Sequence, residues 1–156
     1  MISKYGREYD EIVGPQISER YICCCSTAFS RCGLTSWRAN LIQAWTIYPE
    51  INRVRSWYTQ FFFNPLMYDH FGEDCKPSPF SKNILEPTQE RAIVEGVFYR
   101  EYMDEGILIE GIQTYIESHK DDCSLLYDLA PKYRLKEKDL TYWLNEAREE
   151  SDMSMG

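Results

Sequence analysis

The chain has 156 residues, of which 44% are hydrophobic and 27% charged, and its formal net charge is −8. This composition is typical of a folded globular protein and excludes an intrinsically disordered chain. The length predicts one domain over residues 1–150, sheet-rich at 20–85 and helical at 87–150, with a frayed tail at 151–156. Because no apolar run approaches the roughly 20 residues that cross a membrane and no secretory signal is recognisable, we expect a cytoplasmic protein with no membrane partner.

Six cysteines are present, and three of them are consecutive, at positions 23–25. Structural zinc sites usually contain two pairs of ligands with two to four residues inside each pair, and the chain has no Cys-x2-Cys pair. Adjacent cysteines on a strand also point to opposite faces, which disfavours a shared metal ion. In a reducing compartment we expect free thiols that are buried as small hydrophobic side chains. The sequence predicts neither a metal site nor a cofactor.

The N-terminal half is rich in aromatic and β-branched residues, which favour strands. Three strands are predicted, at Tyr21–Phe29, Leu41–Tyr48 and Ser56–Phe63. The second and third are expected to be joined through residues 49–52, whereas residues 1–20 receive no assignment. Several prolines make residues 64–85 irregular, apart from a last short strand at Ile84 and Leu85.

Basic residues lie close to aromatic residues at the start of the third predicted strand: Arg53 and Arg55 precede Trp57 and Tyr58. Cations that bind phosphates and rings that stack on bases are typical of single-stranded nucleic-acid surfaces. The alternative is a sheet whose aromatic residues face the core and whose arginines face water. The acidic balance of the whole chain favours this alternative, because nucleic-acid binders are usually basic.

The C-terminal half predicts four helices with clear boundaries. Pro87 ends the preceding strand and Thr88 caps the first helix, and the second begins at Asp104. The third follows Asp121 and ends near Pro131, and the fourth starts at about residue 136. Helical spacing predicts buried faces at Ile107, Leu108, Gly111, Ile112, Tyr115 and Ile116, then at Leu125, Leu126, Leu129 and Tyr133, and finally at Leu140, Trp143, Leu144 and Ala147. We therefore predict an α+β fold, in which a small, mostly antiparallel sheet in the N-terminal half precedes a C-terminal bundle of about four helices.

Most of the negative charge lies in residues 100–128. Eight acidic residues there face only Arg100 and Lys120, which gives −6 of the total −8. Such a segment repels nucleic acid and attracts basic protein surfaces. The alternative is a helix face that is merely solvated. The candidate partner-binding acids are Asp104, Glu105, Glu110 and Glu117.

No catalytic signature is present. The chain lacks a P-loop, a dinucleotide-binding glycine pattern, His-Glu-x-x-His and Gly-x-Ser-x-Gly. His70 follows Asp69, but no nucleophile motif accompanies the pair. We therefore predict no catalytic residues and no enzymatic activity.

Two short motifs carry a resemblance to a known family. They are Pro87-Thr88-x-Glu90-Arg91-Ala92 and Leu125-x-x-x-Leu129-Ala130-x-x-Tyr133, within residues 84–150. This segment resembles the C-terminal domain of AbiEi-family antitoxins, which belong to type IV toxin–antitoxin systems. The resemblance implies the toxin-opposing domain, which binds or controls a protein partner.

Three functional hypotheses follow. The first is a non-enzymatic, antitoxin-like regulatory protein that binds and neutralises or controls a protein partner. The second is a small acidic inhibitor of a nucleic-acid-handling enzyme, of the phage anti-defence or anti-CRISPR type, that acts as a nucleic-acid mimic. The third is a single-stranded nucleic-acid binder that uses the basic-aromatic patch. The sequence does not distinguish a monomer from a homo-oligomer.

Overall fold

A sheet and a set of helices follow one another in the computed structural model, which describes residues 21–36, 42–46, 59–63, 70–79 and 81–155. The strands are β1 (Tyr21–Cys23), β2 (Ile42–Thr46), β3 (Thr59–Phe63), β4 (Cys75–Ser78) and β5 (Ser81–Pro87). The α-helices are α1 (Cys25–Arg31), α2 (Gln89–Phe98), α3 (Glu105–Ser118), α4 (Ser124–Leu129) and α5 (Glu137–Met155), with 3-10 helices at Arg100–Tyr102 and Pro131–Tyr133. This architecture confirms the predicted α+β class. Of the helices described, none is long and apolar enough to cross a membrane.

The described strands form a mixed sheet in the order β3-β2-β1-β5-β4. Strand β1 pairs antiparallel with β2 and parallel with β5, while β2 pairs parallel with β3 and β4 pairs antiparallel with β5. The expectation of a mostly antiparallel sheet is therefore wrong. Residues 47–58 separate β2 from β3, and a connection of about a dozen residues is long enough for the crossover that parallel strands need. The predicted connection at 49–52 lies outside the described residues.

The predicted strand Tyr21–Phe29 is correct only over its first three residues. At Cys25 the backbone adopts a φ of +54°, and helix α1 begins there. The neighbouring strand stabilises this helix start, because the Gln43 side chain accepts a hydrogen bond from the main-chain N–H of Ser26 at 3.1 Å. The strand propensities of residues 21–29 do not reflect this contact with a distant residue, which explains why a longer strand was predicted.

Residues 75–87 form a β-hairpin where the sequence predicted mainly irregular structure. Strand β4 contains Pro77, and its pairing with β5 is irregular between Pro77 and Ser78. Proline is tolerated there because β4 is an edge strand of the sheet. The short strand predicted at Ile84 and Leu85 is present, but it is longer than predicted and forms β5, Ser81–Pro87.

The helix boundaries largely confirm the sequence analysis. Thr88 caps α2 by accepting from Arg91 N at 3.2 Å, and Asp104 caps α3 by accepting from Ile107 N at 3.1 Å. Helix α4 ends at Leu129, immediately before the 3-10 helix that Pro131 opens.

One expectation about the helices is wrong: Leu125, predicted to face inward, is 55% exposed. The last helix, α5, continues to Met155, and the expected fraying of residues 151–156 stays a prediction.

Close packing explains Gly111 within α3, as its position in an apolar face predicted. A Cβ atom at Gly111 would lie 2.3 Å from Cδ2 of Phe29, a fully buried side chain of α1. The three consecutive cysteines are also fully buried and free, as expected.

A polar contact joins the segment before β4 to the helical half. Asp74, whose φ is +52°, accepts hydrogen bonds from Lys132 Nζ and from the Tyr133 hydroxyl, both at 2.7 Å. Partial burial raises the pKa of Asp74, but the two donors outweigh it and hold this pKa below its usual range. The charged carboxylate therefore stabilises the folded state.

We expect Asp74→Asn to lower the free energy of unfolding by about 1.5–3 kcal/mol at pH 7, the usual contribution of hydrogen bonds to a charged group. Asparagine tolerates a positive φ, so the backbone should be retained. Because the folded-state pKa lies below the unfolded-state value, this stabilisation is present above about pH 4 and disappears as the pH falls through the folded-state pKa. Denaturant unfolding at pH 7 and pH 3 should therefore show a smaller difference from wild type at pH 3. An equal loss at both pH values would contradict the role of the charge.

Candidate functional site

The four predicted acidic residues do not form one surface. Asp104 and Glu105 are exposed at the N-terminal end of α3, and Glu117 lies twelve residues beyond Glu105, about 18 Å along the helix. Glu110 is half-buried, and its Oε1 accepts from the Thr35 hydroxyl at 3.5 Å. The structure therefore brings together Asp104 and Glu105, and it separates them from Glu117.

An exposed aromatic side chain lies beside these two acids. Tyr102 ends the 3-10 helix that links α2 to α3, and it is 49% exposed. Glu101 and Arg100 are exposed next to it. We call residues 100–105 the Tyr102 turn; it carries three carboxylates and one guanidinium around a tyrosine.

Both ends of the Tyr102 turn are fixed by hydrogen bonds. Arg100 Nη1 donates to the carbonyl of Val97 at 2.9 Å, close to the C-terminal end of α2. At the other end, the Asp104 side chain caps α3. Between them, Met103 is half-buried and packs against the core. Hydrogen bonds and packing on both sides of Tyr102 therefore hold the main chain of the turn.

A buried side chain of the sheet contacts the same turn. Gln43 is 4% exposed, and its Nε2 donates to the main-chain carbonyl of Tyr102 at 2.7 Å. Neither residue was predicted to have a role from the sequence. The sequence did contain a signal for the role of Gln43. Residues two apart on a strand share a face, so Gln43 lies on the same face as Trp45. An amide on a buried face requires hydrogen-bond partners.

The structure also contains a cleft of about 380 Å³ between the end of α1, the β4–β5 hairpin and the start of α2. Two of its charged side chains compensate each other, because Arg31 Nη1 lies 3.6 Å from Glu86 Oε2. Burial raises the pKa of the Cys32 thiol in this cleft to about 12, even though main-chain hydrogen bonds lower it. The Cys32 thiol therefore stays protonated and is a poor nucleophile at neutral pH.

Among the residues that the structure describes, the remaining predicted features form no second site. Within the described ranges, no three His, Cys, Asp or Glu side chains are grouped so that they could hold a metal ion. The Nδ1 atom of His70 lies 2.7 Å from Glu73 Oε2 at the surface. The candidate nucleic-acid patch, which comprises Arg53, Arg55, Trp57 and Tyr58, lies outside the described residues.

Comparison with known proteins adds no assignment to this geometry. No protein-family model matches the chain, and no curated protein matches it significantly. The Tyr102 turn is therefore the candidate functional site on its structure alone.

Proposed function

We propose that the chain is a non-enzymatic regulatory protein that binds a protein partner and neutralises or controls it, as antitoxins do. The observation that carries this proposal is the Tyr102 turn, where an exposed tyrosine adjoins three carboxylates in sequence and its main-chain carbonyl is hydrogen-bonded to Gln43. Tyrosine is over-represented among the residues that dominate binding energy at protein interfaces. Its ring provides a large contact area, and its hydroxyl can pair with the partner.

The rigidity of the turn favours binding. Ordering a flexible loop at an interface reduces affinity, and a preorganised loop avoids most of that loss. Here hydrogen bonds hold the main chain at Val97, Tyr102 and Ile107 before any partner binds. The Tyr102 turn can therefore contact a partner with little rearrangement.

The charges of the turn indicate the chemistry of the partner. Glu101, Asp104 and Glu105 outnumber Arg100, so the turn is locally negative. Opposite charge steers association and disfavours partners of like charge. We therefore propose a partner with a basic surface, a property that toxins and other nucleic-acid-handling enzymes share in their substrate grooves.

We expect Tyr102→Ala to weaken partner binding at least tenfold, the loss typical of a dominant interface residue. Tyr142→Ala is the matched control, because Tyr142 is 57% exposed on α5. The partner is first isolated by affinity capture from a lysate of the native cell, with and without nuclease, and identified by mass spectrometry. A protein that wild type and Tyr142→Ala retain but Tyr102→Ala loses supports the proposal. Equal retention by both variants contradicts it.

Charge is tested separately with a variant that keeps the cap of α3. Asp104→Asn combined with Glu105→Gln removes two charges, and asparagine caps helices as well as aspartate does. Glu117→Gln combined with Asp128→Asn removes the same charge from two other exposed positions. We expect only the first pair to lower affinity.

Two results, one from affinity measurements and one from the capture experiment, would favour the other hypotheses. An affinity for the isolated partner that falls steeply with salt would favour an acidic inhibitor that mimics nucleic acid. Recovery that disappears with nuclease would favour nucleic-acid binding through the patch that contains Arg53 and Trp57.

A further inference from the structure

Gln43 forms hydrogen bonds with three parts of the fold. Its main-chain N–H donates to Thr27 Oγ1 at 2.8 Å, and its carbonyl accepts from Cys24 N at 2.9 Å. Its side-chain Oε1 accepts from Ser26 N at 3.1 Å, and its Nε2 donates to the carbonyl of Tyr102 at 2.7 Å. Both ends of the amide therefore have partners in different elements.

Each side-chain contact satisfies a group at the end of a helix. Main-chain N–H groups in the first turn of a helix have no partner within that helix, and Cys24 provides no side-chain cap for α1. The Oε1 atom of Gln43 supplies the acceptor for one of them. At the other end, the carbonyl of Tyr102 is the last of its 3-10 helix and receives its donor from Nε2. If the amide oxygen and nitrogen were exchanged, the nitrogen would face the N–H of Ser26 and the oxygen would face the carbonyl of Tyr102. Neither pair can form a hydrogen bond, so the orientation of the amide is fixed.

We infer that Gln43 is the positioning residue of the Tyr102 turn. It fixes the main chain at Tyr102 and couples this position to the β1–α1 turn at Cys25, without contacting a partner itself. The inference rests on the proposed function only for its effect on binding. The positioning of the turn can be measured on the isolated protein.

Gln43→Glu separates the two contacts. A glutamate retains the acceptor for Ser26 N, but its ionised form places a carboxylate against the carbonyl of Tyr102. Burial raises the pKa of such a carboxyl, and the protonated form regains a donor for that carbonyl. The matched control is Gln113→Glu, because Gln113 also donates from Nε2 to a main-chain carbonyl, that of Ala147 at 3.1 Å.

The main readout is the set of backbone amide resonances of residues 101–105, with their heteronuclear NOE values. In Gln43→Glu we expect these resonances to shift and the NOE values to fall at pH 8, and to return towards wild type near pH 5. Gln113→Glu should leave residues 101–105 unchanged at both pH values. A merely destabilised protein would show no reversible, local dependence on pH.

A second variant and a wild-type measurement keep the inference testable if Gln43→Glu folds poorly. Gln43→Met removes both contacts without adding charge, and it should loosen residues 101–105 at every pH. In the wild type, the side-chain amide protons of Gln43 should show NOEs to the amide proton of Met103, which follows the bonded carbonyl. Absence of these NOEs, or unchanged resonances of residues 101–105 in both Gln43 variants, would overturn the inference.

Partner binding is then measured on the same proteins. We expect Gln43→Glu to bind about tenfold more weakly than Gln113→Glu at pH 8, and less than twofold more weakly near pH 5. A loosened turn with unchanged affinity supports the positioning role and refutes the Tyr102 turn as the interface. An ordered turn in both Gln43 variants overturns the positioning role, and Tyr102→Ala still tests the interface.

Discussion

Arg91→Met is expected to lower the free energy of unfolding by about 3–5 kcal/mol, the usual effect of removing one partner from a buried ion pair. The Arg91 side chain is fully buried, and its Nε donates to Glu95 Oε1 at 3.0 Å. Its Nη1 donates to the main-chain carbonyls of three residues in the segment before β4, namely His70, Phe71 and Glu73. Methionine fills similar space but satisfies none of these acceptors.

The loss should depend on pH through Glu95. Burial raises the pKa of Glu95, and Arg91 opposes that rise. Without Arg91 this pKa rises further, so the folded variant binds a proton that the unfolded chain has released. A folded-state pKa above the unfolded-state value means that stability falls as pH rises through about 4 and beyond. We therefore expect Arg91→Met to be less destabilised at pH 5 than at pH 8 in denaturant titrations.

Arg148→Met is the matched control for Arg91→Met. Arg148 Nη2 lies 2.8 Å from Asp121 Oδ1, but both side chains are substantially exposed. Exposed ion pairs contribute only about 0–1 kcal/mol. Equal losses in the two variants, or a loss in Arg91→Met that does not change with pH, would contradict the role of the buried pair.

The boundaries of the helical half could be predicted because they depend on local contacts. Thr88 and Asp104 each cap a helix by accepting a hydrogen bond from the N–H three residues later. Such a contact joins residues close in sequence, so it can be predicted from the sequence alone. Helix α1 depends instead on Gln43, which is 17 residues from Ser26. The parallel pairing of β2 with β3 likewise depends on a connection whose path no short pattern specifies.

The candidate site could be predicted only in part, for the same reason. The negative charge of this segment could be predicted from the sequence, and Asp104 and Glu105 were predicted as partner-binding residues on that basis. The exposure of Tyr102 depends on how the link between α2 and α3 packs, and its support depends on Gln43, 59 residues away. Glu110 and Glu117 share the charge of the segment, but the length of α3 separates Glu117 from the turn.

The residues that carry the resemblance to AbiEi antitoxins are mainly structural. Thr88 caps α2, and Arg91 and Ala92 are fully buried. Ala130 and Tyr133 in the second motif are buried as well. These positions pack inside the protein, whereas a partner would contact the exposed Tyr102 turn. The resemblance and the proposed interface therefore rest on different residues and can be tested independently.

Phe29→Ala is expected to lower the free energy of unfolding by about 3–5 kcal/mol, as large-to-small changes of a buried phenylalanine do. The Phe29 ring is fully buried between α2 and α3, where each helix has a glycine. A Cβ atom would lie 2.9 Å from the ring at Gly96 and 2.3 Å from it at Gly111. Removing the ring therefore leaves a cavity that neither helix can fill with a side chain.

The two glycines make this prediction specific, because the effect of Gly111→Ala on the free energy of unfolding should change sign with the residue at position 29. In the wild type, the added methyl group meets the ring, and overpacking should destabilise the protein by about 1–3 kcal/mol. In the Phe29→Ala background the ring is absent, so alanine at 111 should stabilise the protein by up to about 1 kcal/mol through its helix propensity. Gly106→Ala is the control, because a Cβ atom there would meet Asp104 instead of Phe29. A double-mutant cycle from denaturant unfolding measures the coupling, and additive effects of Phe29→Ala and Gly111→Ala would show that the ring does not hold the two helices at this distance.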